Sequence, residues 1–303
     1  MSAARPDTGG WFEAGPRHRR AVLDRLLDRE WAYVPLTACL RESALPLRGR
    51  PFSLYATRRD GAIADVMLRA RDGLLLAAFE DEQDPPCADG IRPWNARNIR
   101  ALRGRIHASG TPHSCMGMTA DVTRAERLLG LHPRVCVDHV LMTLDRGEAS
   151  TGTLPAGRTG DGLDLRRATV RDTERLLAMR EAYELEEVVL DPSRFNRDDC
   201  RRRLRRALRG ELVYVAEHRG RPVATAATNT RGFQVDQIGG VFTIPDRRRT
   251  GLGTAVMLAL LRDIFHQKEQ ACLFVKTGNV AATRLYERLG FSSRGEYRIT
   301  YYR

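Results

Sequence analysis

Apolar and polar positions alternate most clearly in the second half of the chain. The runs LVYVAEH, VATAATN and VDQIGGVFT are rich in strand-forming residues, and Arg219-Gly220 and Arg231-Gly232 separate them. Short apolar runs divided by glycine-containing turns are typical of antiparallel strands, so this pattern predicts a three-stranded meander. LDLRRAT, residues 163–169, predicts a strand ahead of it.

Helical periodicity surrounds these strands. RDTERLLAMREAYE has apolar residues at 176, 177 and 179, with Asp172 at the N-cap position. DDCRRRLRRALRG places Leu204 and Leu208 on one face and ends at Gly210, and we expect its six arginines to face solvent. After the meander, the pattern predicts a helix, a buried strand, a second helix and a last strand: GTAVMLALLRDIFHQ, ACLFVKT, NVAATRLYERLG and FSSRGEYRITYY.

The first half follows a less regular version of the same plan. FSLYATR and AIADVMLRA are joined by Asp60-Gly61, a strong hairpin signal, and Asp72-Gly73 leads to a third strand, LLLAAFE. EDEQDPPCADG follows, without a glycine-spaced loop that opens a helix. The order suggests a degenerate repeat of the second half that lacks its loop.

A segment of small and polar residues separates the halves. RGEASTGTLPAGRTGDG, residues 146–162, is nearly free of large apolar side chains, which is typical of a linker. A chain of 303 residues is long enough for two domains. We therefore expect one domain over residues 1–150, a linker over 151–163 and a second domain over 164–303.

Composition is that of a soluble globular protein, with 42% hydrophobic and 29% charged residues. No apolar run approaches the ~20 residues that span a bilayer, and the first thirty residues hold no stretch resembling a signal peptide. We therefore expect a cytoplasmic protein without a membrane partner. Its six cysteines form no CxxC pair and are expected to be reduced.

A net charge of +12 suggests anionic partners. Only Lys268 and Lys276 are lysines, however, and so strong an arginine bias also follows from GC-rich coding. Aromatic content is 7%, and no basic stripe interleaved with aromatic residues is present. The charge suits a polyphosphate-bearing cofactor as well as a nucleic acid, and the pattern disfavours nucleic acid as the partner.

Candidate chemistry lies between the strand VDQIGGVFT and the helix that starts near Leu252. The connecting stretch DRRRTGLGTA spaces Arg248, Gly251 and Gly253 as R-x-x-G-x-G. The first N–H groups of a helix lack internal partners and carry the positive end of its dipole, and glycines let the backbone approach an anion closely. This spacing therefore predicts a pyrophosphate cradle.

Two other phosphate loops do not fit this stretch. A Walker loop requires a lysine after its last glycine, and none follows here. A dinucleotide fingerprint requires a third glycine where Val256 stands, and it opens a first βαβ unit rather than following a meander.

The stretch VFTIPDRRRTGLGTAVMLALL resembles the acyl-CoA loop of the GNAT superfamily of N-acyltransferases, whose signature is R/Q-x-x-G-x-G/A. NVAATRLYERLGF resembles the second GNAT signature, N-x-x-A-x-x-L-Y-E-x-x-G-F, after the expected strand. The resemblance covers roughly residues 164–303 and implies the GNAT fold, a mixed, mostly antiparallel α/β sheet flanked by helices. The first half resembles the cofactor-free half of tandem GNAT-like proteins.

The resemblance implies an acyl-CoA, with acetyl-CoA as the donor, and a role for each matching position. Val241, Phe242 and Thr243 lie on the strand whose backbone would pair with the pantetheine amides. The residues that would cradle the pyrophosphate are Arg248, Arg249, Thr250, Gly251, Leu252, Gly253 and Thr254. Asn279 would lie beside the pantetheine arm, and Tyr286 would be the general acid that protonates the leaving thiolate. A buried core tyrosine remains the alternative for Tyr286.

Several acidic residues are candidates for the general base that would deprotonate the amine. Family members with a carboxylate on the strand before the loop place it where Gln237 stands, and an amide cannot take a proton, although it could position a water. Asp236 should point to the opposite face. The remaining candidates are Glu184, Glu186 and Glu187, and we select Glu187. These acids form either a solvated helix end or an electrostatic pocket for a cationic amine.

Several alternatives stay open. An acyl-CoA-binding regulatory module without turnover competes with an N-acyltransferase, and the amine acceptor is not specified. The first domain could form a wall of the acceptor groove, mediate a homodimer or bind a ligand of its own. A zinc site from His113, Cys115, His132, Cys136 and His139 does not match standard spacings, so no metal is expected.

Overall fold

The computed structural model describes residues 9–42, 52–80, 96–108, 110–148 and 162–302. The predicted linker, residues 151–163, lies outside these ranges except at positions 162 and 163. Cys87 and the rest of EDEQDPPCADG after Glu80 lie outside them as well. No helix in the described ranges is both long and apolar enough to cross a membrane. The chain divides into two compact units, residues 1–141 with 294–303, and residues 142–293.

The first unit contains the helices α1 (Arg19–Leu27), α2 (Glu30–Glu42), α3 (Ala96–His107) and α4 (Thr119–Leu129). Its strands are β1 (Gly9–Glu13), β2 (Phe52–Arg59), β3 (Ala62–Ala70), β4 (Leu74–Ala78) and β5 (Ser114–Met118), followed by β6 (Val135–Asp145), which continues into the second unit. The predicted hairpin is confirmed: β2 and β3 are antiparallel, and Asp60 and Gly61 both have positive φ between them. The β4–β5 pair is parallel.

The second unit contains the helices α5 (Thr173–Tyr183), α6 (Arg197–Gly210), α7 (Leu252–Phe265) and α8 (Val280–Arg288). Its strands are β7 (Leu163–Arg167), β8 (Val213–His218), β9 (Arg221–Arg231), β10 (Val235–Thr243) and β11 (Gln270–Lys276), and β12 (Ser292–Tyr301) follows. The strands β8 to β10 form the predicted antiparallel meander, β7 pairs antiparallel with β8, and β11 adds in parallel to β10.

Both halves of the sequence have the same order of elements, strand–helix–helix, three strands, helix–strand–helix–strand. The predicted repeat and the mixed α/β fold are therefore confirmed. The last strand of each half of the sequence neighbours a strand of the other half: β12 pairs with β5, and β6 is the neighbour of β11. Residues 294–303 group with the first unit, and the domain over residues 164–303 stays a prediction. An alternating pattern identifies a strand but does not specify its neighbour.

One core cluster of the second unit lies between its sheet and the α5–α6 pair. The predicted apolar positions Leu176, Leu177 and Met179 are buried there, together with Leu204 and Leu208 of α6. The six arginines that follow Cys200 in α6 lie on its other face, five of them exposed and one half-buried. Asp172 occupies the N-cap position of α5 as predicted, but its carboxylate accepts from Thr169 N at 2.8 Å and from Arg166 instead of from the helix.

Candidate functional site

The strands β10 and β11 separate partway along their length. They pair in parallel from Val235 to Ile238, and no further β10–β11 pair follows within the described residues. On its other edge β10 stays paired with β9 as far as Thr243, with an irregularity between Gly239 and Phe242, where Gly240 has a φ of +61°. This bulge bends β10 where it leaves β11, as an extra residue in one strand does. The predicted pantetheine-binding stretch, residues 241–243, lies in the part of β10 without a β11 partner.

The loop after β10 presents a row of backbone donors. The helix α7 begins at Leu252, and its first backbone bond runs from Ala255 N to Gly251 O at 3.0 Å. Within the described residues, the N–H groups of residues 249–254 have no hydrogen-bond partner. The first turn of α7 carries no acidic side chain. These donors lie at the positive end of a helix dipole, an arrangement that binds anions.

Two residues with positive φ turn the chain into α7. Gly251, the N-cap, has a φ of +83°, and Arg249 has a φ of +64°, which is strained for a residue with a side chain. A Cβ on Gly251 would meet no heavy atom within 4 Å, so backbone conformation and not crowding inside the chain favours glycine there. Gly253 has room for a Cβ at ordinary contact distance, 3.4 Å from Leu285 Cδ2.

The side chains of the loop are held by the protein itself or exposed. The guanidinium of Arg248 donates from Nη2 to both Glu186 oxygens at 2.8 and 2.7 Å and lies over the Phe242 ring. Thr250 Oγ1 donates to Arg247 O at 2.7 Å. The Arg248 side chain therefore ties the loop to residues 184–188 and is not free in this structure.

Tyr286 lies on α8 and is 7% exposed, with its ring against Phe291. Its hydroxyl makes no hydrogen bond to any described residue. Burial raises the pKa of Tyr286 well above its ordinary value, and Tyr183 and the charge of Glu187 raise that pKa further. The side chain therefore remains a protonated phenol at neutral pH.

Glu187 lies in a π-helical turn, Glu184–Val188, that continues α5. Its Oε1 accepts from Asn279 Nδ2 at 3.2 Å, and its Oε2 lies 3.3 Å from Lys276 Nζ. Asn279 also caps α8, because its Oδ1 accepts from Ala282 N at 3.1 Å. The structure thus brings together Glu187, Asn279 and Tyr286, three of the residues singled out from the sequence.

The other two candidate acids have structural partners. Glu184 is buried and accepts from Arg180 Nε at 2.9 Å and from Arg203. Glu186 pairs with Arg248 of the loop. The run of acids is therefore not a freely solvated helix end, and each of its charges faces a cation.

The strand positions before the loop hold no free carboxylate. Asp236 is fully buried and pairs with Arg231 at 2.9 Å and with Lys268 at 3.6 Å. Gln237 is 2% exposed, and its Nε2 has no hydrogen-bond partner in the described part of the chain. Adjacent strand positions face opposite sides, so these two side chains lie on opposite faces of the sheet, as expected.

Tyr183 is a site residue that the sequence analysis missed. Its hydroxyl oxygen accepts from Gly240 N at 3.3 Å, and its ring packs edge-on against Phe242. Burial raises the pKa of Tyr183. Its spacing of four residues from Glu187 puts both on a helix-like face. That spacing could have pointed to Tyr183 from the sequence, but pairs four residues apart are common at the end of an amphipathic helix and do not identify a site.

In the equivalent region of the first unit, side chains satisfy groups that are unpartnered among the described residues of the second unit. The strands β4 and β5 pair as far as Leu76. Three residues further along the chain, Phe79 N donates to Asp121 Oδ1 at 3.1 Å. Glu126 stands four residues before Gly130, as Tyr286 stands four before Gly290, and it accepts from Tyr302 at 3.1 Å.

The candidate metal ligands do not converge. No group of three or more His, Cys, Asp or Glu side chains among the described residues is arranged to hold a metal ion. Cys115 is buried, Cys136 is exposed, and His139 Nδ1 lies 3.0 Å from Val137 O.

Comparison with known proteins agrees with this geometry. Residues 177–291 match the model of the acetyltransferase (GNAT) family. No curated protein matches the chain.

Three solved structures cover nearly the whole chain. A GCN5-related N-acetyltransferase from Sphaerobacter thermophilus has a TM-score of 0.56 at 18% identity and covers 96% of this chain and 94% of its own. One from Kribbella flavida has a TM-score of 0.53 at 20% identity, with 90% and 94% covered. A tandem GNAT protein from the clavulanic acid biosynthesis pathway has a TM-score of 0.52 at 13% identity, with 96% and 97% covered. Structural similarity at these sequence identities shows only that the fold is shared. The similarity to the family itself rests on the match of residues 177–291. Residues 177–291 therefore match the acetyltransferase (GNAT) family, in a chain whose fold is similar to that of a tandem GNAT protein.

Proposed function

We propose that the protein is an N-acyltransferase that moves an acetyl group from acetyl-CoA to a primary amine. The observation that carries this proposal is the row of unpartnered N–H groups at residues 249–254, at the start of α7 and beside the open edge of β10. A pyrophosphate supplies the negative charge and the acceptor oxygens that such a row requires. The backbone of residues 241–243 supplies polar groups for the pantetheine arm.

The reaction would be direct attack of the amine on the thioester carbonyl. A C–N bond forms and the C–S bond breaks, so the amine must lose a proton and the sulfur must gain one. Glu187 is the proposed proton acceptor, directly or through water, and Tyr286 is the proposed donor to the thiolate. An alkyl amine with a pKa of ~10.4 is neutral in only about one molecule in 2,000 at pH 7, which is why a base is required.

A second function also has support. Gln237 stands where related enzymes with a strand carboxylate keep their base, and an amide cannot accept a proton. An acyl-CoA-binding module without turnover would keep the loop and lose the base. The two functions share the binding step and differ in turnover, so each step needs its own measurement.

Binding is tested by titrating acetyl-CoA calorimetrically into wild-type protein and Gly251→Asp. Aspartate tolerates positive φ better than most residues, and its charge would oppose the pyrophosphate. Gly61→Asp is the matched control, because Gly61 has a φ of +82° and equally open space in the first unit. We expect Gly251→Asp to bind acetyl-CoA at least about tenfold more weakly than wild type, equivalent to ~1.4 kcal/mol, and Gly61→Asp to bind it as tightly as wild type.

The two variants should lose similar thermal stability, since both place the same residue at nearly the same φ. Equal affinities in the two variants, or no acetyl-CoA binding by folded wild-type protein, would refute the cradle. Turnover is then measured as acetyl-CoA-dependent amine acylation. Tight binding without acylation of any amine would favour the regulatory module.

A further inference from the structure

Large apolar side chains are exposed around Glu187. Leu185, Val188 and Leu190 are 41%, 48% and 51% exposed, and all lie within four residues of Glu187. Val280, 56% exposed, follows Asn279, the residue that hydrogen-bonds Glu187. Four of the five most exposed large apolar residues in the described chain therefore adjoin this contact, and we call these four the apolar rim. An exposed apolar cluster beside a polar site is typical of a ligand-binding surface.

The acidic residues of the same region are all neutralised. Between residues 172 and 199 the chain has nine carboxylates, and each lies within 4.0 Å of an arginine or lysine nitrogen: Asp172, Glu174, Glu181, Glu184, Glu186, Glu187, Asp191, Asp198 and Asp199. The net charge of the chain is +12. This region thus offers no unpaired carboxylate to a second ammonium group on an acceptor.

We infer that the acceptor is a primary amine on an apolar body with no second positive charge, and not a polyamine, an aminoglycoside or a lysine-rich peptide. This inference rests on the proposed function and names its substrate class. The amine would reach Glu187, while the apolar body covers the rim. A second ammonium would lose hydration without gaining a carboxylate and would be repelled by the basic chain.

The first test compares hexylamine with 1,6-diaminohexane. These amines have the same carbon chain and differ by one ammonium group, so the comparison isolates the second charge. We expect kcat/KM for acetylation to be about tenfold higher for hexylamine, even though the diamine has two reactive ends. Methylamine, which has no apolar body, should be a poorer acceptor than hexylamine, mainly through a higher KM.

The second test places polar groups on the rim. Val188→Asn and Val280→Asn should each lower kcat/KM for hexylamine roughly fivefold, since apolar contact is lost. The affinity for acetyl-CoA and kcat/KM for methylamine should stay unchanged. Val135→Asn is the matched control, because Val135 is an exposed valine assigned to the first unit, 38% exposed.

The outcomes separate the inference from the proposed function. If acetyl-CoA does not bind, the proposed function fails. If acetyl-CoA binds but the diamine is the better acceptor, if the rim variants behave like Val135→Asn, or if another amine is acetylated and neither of these two is, the acceptor class is wrong while the cofactor site stands. If acetyl-CoA binds and no amine is acetylated, the transferase function itself fails. Preference for hexylamine that is lost in the rim variants supports the inference.

Discussion

Tyr286 combines deep burial with a hydroxyl that has no partner among the described residues. Its raised pKa, which comes mainly from burial, keeps the phenol protonated through and beyond pH 10, where an ordinary tyrosine ionises. Tyr286→Phe keeps the ring packing against Phe291 and removes the proton. We therefore expect a fall in kcat of about 100-fold with little change in the Kd of acetyl-CoA, measured by steady-state kinetics and calorimetry.

The raised pKa of Tyr286 also makes a prediction for the pH profile of the wild-type protein. Because the pKa of Tyr286 is raised in the folded protein, the phenol does not ionise near pH 10. We therefore expect that ionisation of Tyr286 causes no fall in wild-type kcat around pH 10. Tyr214→Phe is the control, because Tyr214 is also buried in the second unit but bonds to Asp263 at 2.6 Å. An equal loss of kcat in both variants would leave Tyr286 as a core residue.

At the scale of elements, the strand–loop–helix unit from β10 to α7 was predictable from the sequence because its determinants are local. The R-x-x-G-x-G spacing, a preceding strand and a following apolar run specify a strand–loop–helix unit, and α7 begins at Leu252 as expected. The π-helical turn at Glu184–Val188 was not readable, since a run of acids does not distinguish a π from an α turn. The ion pairs that sort Glu184 from Glu187 also depend on tertiary contacts with Arg203 and Lys276.

In the first unit, the strand pair β4–β5 corresponds to β10–β11 of the second unit, but a backbone N–H just after β4 has a side-chain partner. Phe79 is buried, and its N–H is satisfied by Asp121 of α4, where the second unit leaves β10 open. Asp121→Ala should lower the free energy of unfolding by about 1–3 kcal/mol, because a buried donor loses its acceptor. Asp121→Asn keeps an acceptor oxygen and should cost less. Urea denaturation measures both, and equal costs would show that the carboxylate charge, not the Phe79 bond, is what stabilises the unit.

At the scale of the molecule, the sequence predicted the repeat but not the exchange of last strands. Each half contains the right number and order of elements because local periodicity encodes them. Partner choice depends on contacts between residues far apart in sequence. In the last strand these are the register of β12 with β5, the Arg298–Asp138 ion pair at 2.7 Å and the Tyr302–Glu126 hydrogen bond at 3.1 Å. The pattern of apolar and polar residues in FSSRGEYRITYY does not predict these partners.

Two aromatic residues six positions apart test this exchange, because they lie on either side of the division at residues 293 and 294. Phe291 is 4% exposed and Tyr297 is 2% exposed, so alanine at either position should cost about 3–5 kcal/mol. We expect Tyr297→Ala to speed amide hydrogen exchange in β2, β3 and β4, and Phe291→Ala to speed it in β8, β9 and β10, because local stability follows the unit in which the contact is lost. Faster exchange in the β8–β10 strands for both variants would instead support a single domain over residues 164–303. Acetyl-CoA binding gives an independent check. If β12 belongs to the first unit, Tyr297→Ala should leave the affinity for acetyl-CoA unchanged. This should hold even at temperatures where amide exchange shows local unfolding of the first unit.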